Sequence, residues 1–267
     1  MTTTGLTPEA LARTYAGRSY ADPYEAVEDY RRFQRVAAEH PEAGSHVLGK
    51  KLDLPRSRVR SWASGSVPDG MTAIRIAEER DWFTGDRRSS TFRGLSRLVA
   101  WIFSGGSIND LYVPQFAVDG PASIERITDT LDAVGIEHRN QRENEQGRAT
   151  EVIPTEHASV LGRALVVLGA PQGPKAEQPD LTLPEYLDDA PVRVRREFVD
   201  VYLRNRIARQ DDRLAIRFRE HRPQRYLDEL AALIESVAGE RVTVTEENIY
   251  LSTAATESLY GRLGPPL

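Results

Sequence analysis

The chain has 267 residues, a formal net charge of -5, no cysteine and five histidines. That length suffices for one large or two medium domains, each with its own core. The missing cysteines exclude disulfides, thiolate nucleophiles and cysteine-based zinc sites. The histidines (His40, His46, His138, His157, His221) are scattered without metal-ligand spacing, so neither a metal nor another cofactor is expected. No apolar run approaches the ~18 residues of a membrane span, and the first ten residues lack the basic start and apolar centre of a signal segment. The expectation is a soluble, cytoplasmic chain with no membrane partner.

The global charge argues against nucleic acid, but binding is decided by local charge. Residues 50–60 carry Lys50, Lys51, Arg56, Arg58 and Arg60 against Asp53 alone, a balance of +4. Residues 192–225 carry eleven arginines against five carboxylates, a balance of +6. Only three basic residues in the chain are lysines, so a general preference for arginine in the proteome explains this bias as readily as function does.

In chain order, residues 7–40 read as a short and a longer amphipathic helix, because Tyr24, Val27, Tyr30, Phe33, Val36 and Ala37 recur at three- and four-residue spacing. Two shorter helices follow around 43–63, broken at Asp53-Leu54-Pro55, and another spans about 70–83. Residues 84–91, polar and charged, suit a linker. From Arg93 the texture changes to helices alternating with short period-two strands: helix 95–104, strand 111–118, helix 121–134, two strands within 137–154, helix 157–168. After the Gly-Pro-rich stretch 169–184 the order recurs: helix 194–206, strand 213–219, helix 223–238, strands within 241–252, helix 254–262. A doubled α-β-β-α-β-β-α unit implies pseudo-two-fold symmetry within one chain.

Residues 47–62, reading Val-Leu-Gly-Lys-Lys-Leu-Asp-Leu-Pro-Arg-Ser-Arg-Val-Arg-Ser-Trp, resemble a helix-turn-helix. Leu48, Leu52, Leu54, Val59 and Trp62 fall on the buried side, Gly49 sits where the helices cross, and Asp53 stands where glycine is more usual. The resemblance implies that the second helix lies in the major groove. Arg56, Ser57 and Arg60 then face base edges, while Lys50, Lys51 and Arg58 suit phosphates. A helical hairpin with a merely solvated charged face is the competing reading.

Residues 93–267 resemble the LAGLIDADG homing endonucleases. The first motif reads Leu98-Val-Ala-Trp-Ile-Phe-Ser-Gly-Gly106 and the second Val199-Asp-Val-Tyr-Leu-Arg-Asn-Arg-Ile207. The resemblance implies two central helices and two saddle-shaped sheets on DNA. Active members carry an acidic metal ligand at the eighth motif position of each helix, and metal-assisted phosphodiester hydrolysis needs those carboxylates. Here the two positions are Gly105 and Arg206; the nearest acids, Asp110 and Asp211 or Asp212, lie about five residues further on. The expectation is therefore a non-enzyme that binds without cutting. In 213–219, alternation sets Leu214, Ile216 and Phe218 on one face and Arg213, Arg217 and Arg219 on the other, and Arg241 begins a similar pattern with Thr243 and Thr245.

The resulting expectation is an α+β protein, with an all-helical helix-turn-helix domain over residues 1–90 and a duplicated LAGLIDADG-like domain over 93–267 (repeats about 93–170 and 192–267). Its expected partner is double-stranded DNA, bound sequence-specifically by a transcriptional regulator through Lys50, Lys51, Arg56, Ser57, Arg58, Arg60, Arg206, Arg213, Arg217, Arg219 and Arg241. The competing functions are a homing endonuclease, active or decayed, and an RNA-binding protein of the maturase kind.

Overall fold

A computed structural model describes residues 5–16, 20–143, 149–207, 215–246 and 248–261. The chain divides into two compact units, Leu6–Glu79 and Arg80–Leu267.

The first unit is all helical. Helix α1 (Pro8–Arg13) starts at Thr7, whose hydroxyl accepts from the Ala10 amide, and α2 (Pro23–Glu39) starts at Asp22, whose carboxylate accepts from Tyr24. Each has proline at its first position, where the missing N–H is not needed. On α2, Val27, Tyr30 and Phe33 are three residues apart and buried. Tyr30 and Phe33 close on Trp62 at ring-centroid distances of 5.4 and 5.5 Å. Trp62 lies on α4 (Arg56–Ala63), which follows α3 (Ser45–Leu52), and α5 (Asp69–Glu79) completes the unit with Ile74 and Ala77 buried. Full burial of each large side chain contributes about 1.5–3 kcal/mol, so the aromatic cluster fixes where α4 sits on α2.

The second unit is an α+β fold built twice. Helix α6 (Ser90–Ser104) begins at Ser89, whose hydroxyl accepts from the Phe92 amide, and is buried nearly all round. Strands β1 (Gly106–Ile108), β2 (Pro114–Val118), β3 (His138–Gln141) and β4 (Thr150–Pro154) form an antiparallel sheet in the order β1-β2-β4-β3, with α7 (Pro121–Ala133) and α8 (Ala158–Val167) inserted in sequence. The second half repeats this: α9 (Val192–Arg206), β5 (Ile216–Arg219), α10 (Gln224–Ala238), β6 (Val242–Val244), β7 (Asn248–Leu251) and α11 (Thr253–Tyr260), with sheet order β5-β7-β6. That order matches β2-β4-β3.

The two halves meet along α6 and α9. Arg93 of α6 donates to both carboxylate oxygens of Glu197 on α9, Phe103 packs on Phe198 with centroids 6.3 Å apart, and Asn205 donates to Ser104 Oγ at 2.9 Å. Apart from the side carrying Arg93 and Arg97, both held by Glu197, α6 is apolar and buried, and such a helix requires this kind of enclosure.

Two expectations change. Residues 84–91 do not run as a bare linker. Within this stretch Arg87 pairs with Asp189 and donates to the Tyr186 carbonyl, and just before it Trp82 Nε1 donates to the Val134 carbonyl at 2.9 Å and Arg80 to the Gly135 carbonyl, so residues from Arg80 onward belong to the second unit. The first central helix also starts five residues earlier than its apolar run, because Ser89 caps it and Phe92 is already buried. Strand β1 was not anticipated: three residues beginning with glycine are too short for a period-two pattern. Among the described residues no helix is long and apolar enough to cross a membrane.

Candidate nucleic-acid interface

The turn between α3 and α4 is tight. Asp53 adopts a left-handed conformation (φ 54°) that normally favours glycine and that aspartate tolerates better than most residues. The Asp53 and Leu54 amides both donate to the Gly49 carbonyl. A Cβ on Gly49 would stand 3.1 Å from the Leu54 carbonyl oxygen, so a larger residue at the crossing would have to push the turn back by a few tenths of an ångström. Arg32 of α2 donates to the Leu52 carbonyl and satisfies the end of α3.

With Val59 and Trp62 buried, α4 presents Arg56, Ser57 and Arg60 to solvent, and Lys50 and Lys51 are exposed on α3. Ser61, one turn beyond Ser57 and also exposed, belongs to the same face. Sequence reading left it out, although the burial of Trp62 next to it carries the signal. No side chain caps α4, which leaves its first amides available to an anion. Arg58 differs from its neighbours: it is half-buried, with its guanidinium 4.2 Å from the centroid of the Tyr20 ring. Tyr20 donates to Asp29 at 2.9 Å, and burial, with Asp29 beside it, pushes its phenol up to about 12. Arg58 therefore spends its charge on an internal cation–π contact.

On the second unit, β5 buries Ile216 and Phe218 and exposes Arg217 and Arg219. Register sets Arg217 against Tyr250 and Arg219 against Asn248 of β7, and Tyr250 against Thr243 of β6. The outer face of this sheet is thus Arg217, Arg219, Asn248, Tyr250 and Thr243, with exposed Arg241 just before β6. Asn248 and Tyr250 were missed, yet alternation with buried Ile249 and Leu251 was there to place them. Arg213 lies outside the described residues. Among the described residues, the outer face of the first sheet is close to neutral: Arg139 and Gln141 stand opposite Ile153 and Glu151, and Arg142 pairs with Glu151 at 2.7 Å.

The C-terminal ends of α6 and α9 meet, and a Cβ on Gly105 would lie 3.5 Å from the Asn205 side chain. Arg206 does not project alone. It lies 3.0 Å from Glu220, a charge contact rather than an aligned hydrogen bond, and donates to the Arg219 carbonyl. Glu220 is only 1% exposed, accepts from Tyr202 Oη at 2.6 Å and has Arg222 at 3.6 Å. Tyr226 donates on to Tyr202, and burial pushes both phenols up, so they remain protonated donors. Lys175 donates to the Ile102 and Gly106 carbonyls at the end of α6. Burial, reinforced by Arg222, lowers it to about 8. Neither Lys175 nor Glu220 stood out in the sequence. Among the described residues, this end does not fit the divalent cation that the LAGLIDADG resemblance implies, since the carbonyls hold an ammonium and the one buried carboxylate is already neutralised.

No family model matches the chain, and no curated protein matches it. Among solved structures, the homing endonuclease I-WcaI bound to its DNA recognition sequence is similar, with a TM-score of 0.46 and 12% sequence identity over 75% of this chain and 90% of that one. The expectation of a non-enzyme is corrected at this point. It rested on Gly105 and Arg206 and on the distance to Asp110 and to Asp211 or Asp212, and the solved structure found similar is that of a homing endonuclease.

Proposed function

We propose that the protein binds double-stranded DNA sequence-specifically and acts in transcriptional regulation, reading bases with α4 and holding the backbone with the outer face of the β5-β7-β6 sheet. One observation carries this reading: on α4 Arg56, Ser57, Arg60 and Ser61 form a single exposed polar face, next to Lys50 and Lys51. Asp53 is the sole acid between Ser45 and Ala63. A helix face of that kind suits the major groove, where arginine meets guanine in a bidentate pair and serine accepts or donates to either base. The arginine face of β5, with Tyr250 and Asn248 in register, supports a second contact to phosphates. Arg206 contributes to this surface mainly by neutralising Glu220, and Arg58 by bracing α4 on Tyr20.

Selection of bound duplexes from a random pool tests the proposal. The expected result is a defined motif whose enrichment weakens in R56A and R60A. Equal binding to random duplexes, or tighter binding to structured RNA, would overturn it. The selected duplex incubated with magnesium or manganese then separates a regulator from a nuclease.

A further inference from the structure

We propose that His46 is a backbone-phosphate contact of the first unit and that its protonation couples duplex affinity to pH. The inference deepens the DNA-binding reading above and rests on it.

The cations of the first unit fall into two groups. Arg13, Arg31 and Arg32 each meet a carboxylate or a carbonyl, and Arg58 and Arg75 lie against the rings of Tyr20 and Tyr30. Among the described residues, the side chains of Arg35, His46, Lys50, Lys51, Arg56 and Arg60 have no such partner, and all are exposed. Apart from Arg35 on α2, this second group lies on α3 and α4. Unpaired positive charge gathered on two adjoining helices is a surface for a polyanion.

His46 and Lys50 stand one turn apart on α3 and, with Asp53 of the turn and Arg56 of α4, line one open depression. His46 is therefore beside the start of the helix proposed to enter the major groove. An α-helix with its side chains is about 10–12 Å across and the groove about 12 Å wide, so α4 fills it. A group beside α4 then stands over the groove wall, which is sugar and phosphate. This assigns His46 and Lys50 to phosphate and leaves base edges to α4.

The charges about His46 favour an anion from outside the chain. Its own helix supplies Lys50, α4 supplies Arg56 and the turn supplies Asp53, a positive balance. Helix α2 reaches α3 at the other end, where Arg32 donates to the Leu52 carbonyl, and Glu42 precedes the helix. Histidine changes charge near neutral pH, and a phosphate within hydrogen-bond reach favours the charged ring. The complex then holds a proton that the free chain has released, so affinity rises as pH falls.

The test measures binding of the full chain to the selected duplex and to a random duplex at about pH 8 and about pH 6, over a range of salt. Expected is an affinity about tenfold higher at about pH 6 on both duplexes, as one charge-assisted hydrogen bond to a phosphate implies. The slope of log affinity against log salt should steepen by about 0.9 for the added contact. His46→Gln should keep the wild-type affinity of about pH 8 at both values. His46→Lys, with a permanent charge, should keep that of about pH 6 and covers the case in which the glutamine variant fails to fold. The four other histidines and Lys175 remain in both variants, so a response of theirs would persist. A wild-type affinity that does not change with pH, or a pH response retained in either variant, would overturn the proposal while duplex binding stands. A response confined to the selected duplex would overturn the phosphate assignment. No binding to either duplex at either pH would strike the DNA-binding reading itself, and this proposal with it.

Discussion

Among the described residues Glu220 is the one charged side chain that is fully buried. It is a nearly sealed carboxylate, held by Tyr202, Arg206 and Arg222. Removing one member of a buried ion pair leaves the other charge uncompensated, at a cost of about 3 kcal/mol or more. Glu220→Gln should destabilise the protein by that order in urea titration; a change below about 1 kcal/mol would mean that solvent already neutralises Arg206 and Arg222. Lys175 gives a complementary prediction. Its folded value of about 8 lies below that of free lysine, so below about pH 8 both folded and unfolded chains hold the proton and the folded chain bears the cost of the buried charge. Between about pH 8 and pH 10 the unfolded chain holds a proton that the folded chain has lost, and unfolding free energy rises with pH. Over that interval the wild-type protein should gain about 2 kcal/mol relative to Lys175→Met, read from urea titrations at each pH; parallel profiles would refute this. None of this cluster was legible in the sequence. Glu220 follows Arg206 by fourteen positions, Lys175 precedes it by thirty-one, and only folding brings them to one helix end.

At the scale of elements much more was legible, because the signals are local. The consecutive helices α3 and α4 could be read from the apolar spacing of Leu48, Leu52, Val59 and Trp62, and the second helix of the unit from Val27, Tyr30 and Phe33. Strands β5 and β7 show strict alternation and were expected within a few residues. What escaped was decided by contacts far along the chain. Trp82 looks like the end of a helix until Val134, fifty-two residues later, accepts its indole N–H. Two predictions belong to this scale. Arg56→Ala and Arg60→Ala should each cost about 1–3 kcal/mol at the selected site and little on random DNA, as measured by competition binding; equal losses on both would reassign them to phosphates. The double change Arg217→Ala, Arg219→Ala should leave sequence preference unchanged and make the slope of log affinity against log salt shallower by about 0.9 for each contact, or about 1.8 together. An unchanged slope would remove β5 from the interface.

For the whole molecule, the question is whether two units on one chain act as one binder. The first unit has a core of its own, with Leu11, Val27 and Ile74 fully enclosed, so residues 6–79 should fold alone as a small domain. Such a domain carries α4, the helix proposed to read bases, but lacks the arginine face of β5. If both surfaces touch the same duplex, the covalent connection makes the second contact intramolecular, and its effective concentration raises affinity by about 10²–10⁴ without any new contact. Residues 6–79 alone should therefore bind the selected duplex at least about a hundredfold more weakly than the full chain while preferring the same bases. Adding residues 80–267 as a separate protein at equal concentration should not restore the difference, because mixing supplies the surface but not the connection. The Arg217→Ala, Arg219→Ala chain should fall between the two, having lost part of the second surface while keeping the tether. Full affinity from residues 6–79, measured at the same salt as the whole chain, would show that the second unit does not touch the duplex and would leave the proposed DNA recognition to α3 and α4 alone.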